Sequence, residues 1–373
     1  MKSKKKKLRT GFTTGTAAAA AAKAAVLFLG GINGLKTIDT PLPSGERLNI
    51  PVASVKREHN GASALVIKDA GDDPDVTHRA KIWCSVGIDK TGPSGQVLIE
   101  GGRGVGRVTK PGLPVAVGES AINPEPRKQI TQAVREALQE TNLEGSVTVM
   151  IHVPRGEEIA RKTLNPRLGI MGGISILGTR GTVLPFSHQA YKDTITLAMD
   201  VARARSIDTI VLSTGGRSER LAGELLGNMP EEAFVQIADF FEFSLKEAAR
   251  RGFKHIIFPC FFGKLVKMAQ GCKYTHARKS RLDLHALSGW CLEEGMPLQD
   301  AEKVAIANTA IEALGIILEA DQSDKIIFRV LQEALRRARE YAGPGPALEY
   351  LLFSMQGELL GKMTDSRPAS KKF

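Results

Sequence analysis

Hydrophobic and polar positions follow two different patterns along the chain, and the change falls near residue 165. Before it, short apolar or alternating runs at 36–40, 47–52, 53–58, 62–68, 81–87 and 96–101 read as strands, separated by turn signals such as Pro43-Ser44-Gly45-Glu46. Residues 17–29 begin with an alanine run and end in Val26, Leu27, Phe28 and Leu29. Such a helix has so little side-chain bulk that it must pack closely on its neighbours, and Gly30-Gly31 ends it. Residues 123–140 read as a second helix, with Pro124 and Pro126 near its start, and 146–153 as a strand.

From residue 166 the pattern turns to regular β–loop–α alternation. Residues 174–177, 209–213, 233–237 and 255–258 read as strands, with helices at 188–205 and 243–251 and another after Glu219. Helices at 280–294, 300–318 and 324–341 follow, then a hairpin of 347–353 and 358–362 joined at Gln356-Gly357. Four such units in series predict a mostly parallel sheet whose ligands lie beyond the carboxyl ends of its strands. The expected fold class is α/β plus α+β, in two domains. Residues 1–165 would form an α+β domain, and 166–373 a Rossmann-like domain with a mostly parallel sheet.

Four stretches carry candidate chemistry. Residues 172–187 read GGISILGTRGTVLPFS: a strand, the loop Gly178-Thr179-Arg180-Gly181-Thr182, then a helix. That order brings backbone N–H groups to a ligand and reads as the mouth of a cofactor site. It is not GxGxxG, and no acidic ribose partner stands at the usual distance, which argues against a dinucleotide. Asp239, at the end of a later strand, is the best acidic candidate, with a helix N-cap as its plain alternative. The glycine-rich run 101–108 has no helix after it, so it reads as a flexible, basic surface loop able to close on a substrate. Residues 68–78 gather Asp69, Asp72, Asp73, Asp75 and His78, suited to a metal or to proton transfer. No EF-hand pattern is present, which favours a loop whose side chains cap their own turns. Finally, Arg9, Thr10, Thr13, Thr14 and Thr16 precede the alanine helix. They can cap it, or hold an anion at its positive end.

Composition narrows the function classes. A chain of 373 residues, 42% hydrophobic and 24% charged, is that of a globular protein of two domains. A formal net charge of +11 calls for an anionic partner: nucleic acid, a membrane surface or a polycarboxylate. With four Tyr and two Trp, RNA would find few stacking platforms. Cys84, Cys260, Cys272 and Cys291 form no CxxC pair, as in a reducing compartment. Lys2 to Lys7 before the alanines imitate a signal peptide, but a polar stretch lies between them and Lys23 interrupts the apolar part. A cytoplasmic protein is expected, with residues 1–7 a solvated tail and the segment after Thr364 disordered. No P-loop, GxSxG or HExxH occurs, and Cys260, Cys272, His276, His285 and Cys291 match no zinc spacing. The residues alone leave open a nicotinamide or flavin enzyme, a nicotinamide-dependent oxidoreductase of an anionic substrate among them, an S-adenosylmethionine enzyme and an RNA-binding protein.

The blocks 8–16, 68–78, 106–112, 158–169, 172–183, 213–220, 239–252 and 258–271 together resemble the cobalt-precorrin-5B C-1-methyltransferase family, CbiD, of anaerobic cobalamin biosynthesis. Arg79 stands where that family usually has a small residue, and Arg180 where a smaller polar one is common. The resemblance implies methyl transfer from S-adenosylmethionine to a ring carbon of a cobalt-containing corrinoid precursor. The cobalt belongs to the substrate, so no protein-bound metal is required. The corrinoid's carboxylates suit a basic surface, with Arg9, Thr10, Thr13, Thr14, Arg103, Arg107, Lys110 and Lys264 as candidate contacts. Asp69, Asp72 and His78 are the candidate bases. On the strand-end topology, Gly178, Thr179, Gly181, Thr182, Ser213, Thr214, Gly215, Gly216 and Asp239 should line one crevice holding S-adenosylmethionine. The corrinoid would lie between the domains, at the 9–14 and 69–78 loops. A second copy of the chain is an optional partner; nucleic acid and membrane are not expected.

Overall fold

The computed structural model describes residues 8–365, so the 1–7 tail and the chain from 366 onward lie outside the description. The chain divides into two compact units after His188. No described helix is long and apolar enough to cross a membrane.

The first unit is built around helix α1 (Thr14–Leu29), whose alanines are fully buried. Methyl side chains let neighbouring backbones come close. The Cys84 thiol donates to the Ala18 carbonyl at 3.3 Å, and helix α2 (Pro124–Thr141) packs along the other side. The facing sheet has the order Ser54–Glu58, Gly61–Ile67, Lys81–Asp89, Ser146–His152, Val97–Gly101. Its pairings are antiparallel except the last. Ile82, Cys84 and Val86, then Val147, Val149 and Ile151, all enter one core. This is the period of two that a sheet with one buried face requires. Lys23 is the one charge in the alanine run, and its ammonium reaches Glu136 at 2.8 Å and the Asp39 carbonyl at 3.0 Å. Arg47 grips the same carboxylate at 3.1 and 2.9 Å. The Arg47 guanidinium, helped by Lys23 and opposed by burial, holds Glu136 down to about 2.

The second unit is a sheet in the order Phe234–Gln236, Thr209–Ser213, His255–Phe261, Ala347–Phe353, Leu359–Asp365. The first four strands are parallel and the last is antiparallel, so the sheet is mixed. Ile210, Leu212, Ile256, Phe258, Leu348 and Tyr350 point into the large core under most of the helices. Val211, Ile257 and Leu351 face Leu221 and Ala222 of the Gly216–Leu226 helix, which covers the second face. From Thr209–Ser213 the chain passes first to the neighbour on one side and then to the neighbour on the other. The carboxyl end of that strand is therefore a topological switch point.

Three expectations change. The 174–177 run, read as the first strand of the parallel sheet, belongs to the first unit. Gly173–Ile174 pairs with Gly104–Val105, and Ile174 and Ile176 are buried in the core around α1. The 178–182 loop goes with it, and the division falls after His188 where the pattern put it at 165. The 101–108 run is not a flexible loop. Arg107–Val108 also pairs, with Ile170–Met171, and a Cβ at Gly102, Gly104 or Gly106 would overlap His152, the Val153 carbonyl or Ile170. Glycine is there so that backbones can cross. Lastly, the 300–318 helix is two, Leu298–Ile306 and Ala310–Leu318. Thr309 is extended between them, and its hydroxyl caps the Glu312 N–H at 3.1 Å.

Two consequences can be measured. Gly104→Ala combines that overlap with a φ of +77°, and should cost about 3 kcal/mol or more in urea unfolding. Glu136 is depressed in the folded state, so its contribution is complete above the ordinary value of 4.5 and fades as pH falls toward about 2. The stability gap between wild type and Glu136→Gln should thus be wide at about pH 6 and narrow at about pH 3.

Candidate active site

In the first unit the expected residues meet at the start of α1. Thr13 is its N-cap, accepting from the Thr16 N–H at 3.2 Å. The Thr14 hydroxyl lies 3.2 Å from both the Ser175 and Leu177 carbonyls and accepts from the Leu177 N–H at 2.9 Å. Thr16 donates to the Gly181 carbonyl at 2.8 Å, and the Thr13 and Gly15 N–H groups reach Gly181 and Leu177. Gly11–Phe12 pairs with Thr182–Val183. The loop of Gly178, Thr179, Gly181 and Thr182 thus closes over the helix start, and its carbonyls take donors that an anion would need. Of the two readings of this segment, the cap is what the geometry builds.

Arg9 lies just before this cap. Its guanidinium pairs with Asp69 in two-pronged fashion, Nη2 to Oδ1 at 3.0 Å, and its N–H donates to Asp72 at 2.7 Å. Thr10 bridges to Gly71, and a Cβ on Gly11 or Gly71 would overlap the facing backbone. The Arg9 hydrogen bond holds the Asp69 carboxyl below the usual range. His78 Nδ1 accepts from the Ala70 N–H at 3.1 Å, which leaves the ring proton on Nε2. Burial alone would raise Asp75, but the buried Lys68 ammonium at 2.5 Å and Thr77 hold it low. Asp69 is therefore a stabilised anion and a weak proton acceptor here. Asp73 accepts from the Phe186 N–H at 2.8 Å, a partner too distant in sequence to be foreseen. Of the other basic candidates, Arg107 donates to the Gly118 carbonyl and Lys110 to that of Arg167 at 3.2 Å, while Arg103 is exposed.

The second cluster lies at the carboxyl edge of the second sheet. The Ser213 hydroxyl and the Gln236 amide each donate to Glu219 at 3.2 Å. Thr214 and Gly215 join Ser213 to the Gly216–Leu226 helix. A Cβ at Gly215 would meet nothing within 4 Å, and one at Gly216 only the Gln236 amide at 3.8 Å. Nothing within the chain calls for glycine at these two positions. Ala238, held at φ +46°, precedes Asp239. Asp239 Oδ1 takes both the Lys264 ammonium and the Thr275 hydroxyl, and among the described residues no donor reaches Oδ2. Lys264, expected at substrate carboxylates, is committed to Asp239. Burial, then the charges of Asp239 and Glu219, raise the Tyr191 phenol. Its ring stacks on Phe240 at 5.5 Å, and Phe240 lies 5.1 Å from Tyr274.

This edge offers two carboxylates, an aromatic face and an open glycine turn, which together suit a cationic ligand. Ser213, Thr214, Gly215, Gly216 and Asp239 come together here, while Gly178, Thr179, Gly181 and Thr182 belong to the other unit. The sequence reading put Glu219 on the ligand side by topology without naming it a site residue, and missed Gln236 and Tyr191. An acid one turn into a helix after Gly-Gly could have pointed to Glu219; Tyr191 carried no signal. Burial pushes the Cys260 and Cys291 thiols up to about 12 and about 11. Among the described residues no three His, Cys, Asp or Glu side chains are grouped to hold a metal.

A family model described as CbiD matches residues 1–185, and one described as CbiD, C-terminal domain, matches 274–364. The cobalt-precorrin-5B C(1)-methyltransferase of Nitratidesulfovibrio vulgaris is 50% identical, over 94% of this chain and 91% of its own. That of Geobacillus kaustophilus is 45% identical, over 96% and 95%. The crystal structure of a cobalamin biosynthesis protein (cbiD) from Archaeoglobus fulgidus is 30% identical, covering 70% of this chain and 79% of that one at a TM-score of 0.39. With relatives this similar over nearly its whole length, the chain belongs to the CbiD family.

Proposed function

We propose that this protein moves a methyl group from S-adenosylmethionine to C-1 of cobalt-precorrin-5B in cobalamin biosynthesis. Family membership and the names of relatives that align end to end support the reaction. One structural observation supports the donor's place: Glu219, tied to Ser213 and Gln236, and Asp239 stand with the open Gly215-Gly216 turn at the carboxyl ends of neighbouring strands of the second sheet, at its switch point. The sheet is used in a Rossmann-like way in this reading, with the ligand at the carboxyl ends of its strands. A sulfonium and an ammonium group suit two carboxylates and a ring face, and Asp239 Oδ2 has room for a further donor. S-adenosylmethionine, when bound, supplies an electrophilic methyl group.

The chain's own work is then placement. Ser213 and Gln236 fix both oxygens of Glu219, and Lys264 with Thr275 fixes Asp239, so these carboxylates meet a ligand already oriented. Methyl transfer to an electron-rich carbon needs alignment and exclusion of water more than covalent help. Gly178, Thr179, Gly181 and Thr182 go with the substrate side in this reading, since the chain ties them to the Arg9 cluster. Nothing in the relatives or at the sheet edge favours the nicotinamide-dependent oxidoreductase.

Incubation with S-adenosylmethionine and cobalt-precorrin-5B should yield S-adenosylhomocysteine and a mass gain of one methyl on the macrocycle. Gly215→Leu and Asp239→Asn should each weaken S-adenosylmethionine binding in calorimetry by about tenfold or more. Gly215→Leu should melt close to wild type, since a Cβ at this position meets nothing within 4 Å. Binding unchanged in both variants would overturn the placement. Because two carboxylates disfavour the phenolate, Glu219→Gln and Asp239→Asn should each lower the Tyr191 titration, read by ultraviolet difference against Tyr191→Phe.

A further inference from the structure

Phe186 is held in a conformation that its own chain does not reward. Its φ is +55°, in the left-handed region that a bulky side chain avoids, and it is 66% exposed, so the strain is not offset by burial. The Asp73 carboxylate enforces this, accepting the Phe186 N–H at 2.8 Å. Asp73 stands beside Asp72, which is bonded to the Arg9 backbone, and Thr182–Val183, just before Phe186, pairs with Gly11–Phe12. The ring is therefore carried by the rigid frame around Arg9, and not by a loose loop. Leu177 and Leu184 on the same segment, and Val76 in the acidic loop, are exposed as well. Arg180 and Arg79 are exposed cations of these segments with no ion-pair or side-chain hydrogen-bond partner among the described residues. Arg79 is also in the left-handed region, at φ +64°.

Exposed apolar side chains and exposed cations carried by the same two segments suit a flat macrocycle with carboxylates around its rim. We propose that Phe186, positioned by Asp73, is the platform on which the ring of the precorrin lies, with Arg180 taking a peripheral carboxylate. This rests on the corrinoid reading above and adds the residues that select for the ring. Phe186 is a substrate-binding residue and Asp73 a positioning residue.

The test is a titration of cobalt-precorrin-5B followed by its visible spectrum, with methyl transfer by wild type measured in parallel. Phe186→Gly removes the ring and also relieves the backbone, so it should melt no lower than wild type while its macrocycle dissociation constant rises about tenfold or more. Phe186→Trp should restore affinity and show indole quenching on binding. Asp73→Asn, which keeps the acceptor oxygen, should bind as wild type does. Asp73→Ala should weaken the macrocycle and not S-adenosylmethionine. Wild-type affinity in Phe186→Gly would overturn the platform while leaving the reaction standing. Wild type that binds the macrocycle through Phe186 yet transfers no methyl group would instead overturn the proposed reaction.

Discussion

Close approach of backbone to backbone around the start of α1 is the constraint on which the first unit depends. A helix faced with methyl groups contributes little apolar area per turn, so its stability requires neighbours that come nearer than side chains normally allow. Glycine is the means at each contact. Gly11 and Gly71 lie where a Cβ on either would enter the other strand, and Gly104 and Gly156 stand in the same relation. Gly178 faces Thr13 at φ +139°, a conformation open mainly to glycine. With those contacts made, Thr13, Thr14 and Thr16 complete the hydrogen bonding of a buried helix end. The Arg9 strand, the acidic loop and the 178–182 loop are then fixed against one another as one frame.

The second unit uses the same residue for a different end. At Gly215 and Gly216 no facing backbone has to be accommodated and no positive φ has to be adopted. What surrounds them is a set of oriented polar groups that the chain has already neutralised in part. Ser213 and Gln236 are among the donors that hold Glu219, and an ammonium and a hydroxyl hold Asp239. Carboxylates held in this way cost little further ordering when a cation arrives, which is how a fixed site gains over a mobile one.

Much of the architecture was legible in the sequence because period and punctuation are local. The strands at 47–51, 61–67, 81–89 and 146–152, the alanine helix and the 347–365 hairpin lie where alternation and turn residues put them. What failed was long-range. Ile174 and Ile176 look like a parallel strand, yet their apolar side chains are claimed by the core of α1, and no local pattern records which core claims a strand. The 101–108 glycines read as mobility, whereas a crossing of backbones requires the same composition. At the candidate sites, chain order suggested Ser213, Gly215, Gly216 and Asp239, because strand ends in a parallel sheet share an edge. Glu219, Tyr191 and Asp73 depend on side-chain partners elsewhere, and those are visible once the chain is folded.

The formal net charge of +11 suggested one basic surface for an anionic partner, but the fold distributes charge by task. In the proposed reaction the donor is a cation and the acceptor a polyanion, and the two require opposite surroundings. An arginine beside the donor would raise its free energy, and a carboxylate beside the acceptor would do the same. The edge of the second sheet presents Glu219 and Asp239, the latter neutralising Lys264, with Lys192 and Lys279 lying over the Phe240 and Tyr274 rings. Around the Arg9 frame the order is reversed. Asp69, Asp72, Asp73 and Asp75 are engaged by Arg9, by backbone N–H groups or by Lys68, while Arg79 and Arg180 are exposed. Four aspartates in an eleven-residue loop thus look like a metal or proton site when counted, and act as ties when their partners are known. In the proposed reading, acidic residues build the frame, and the exposed arginines beside it are what a carboxylate-rimmed ring would meet.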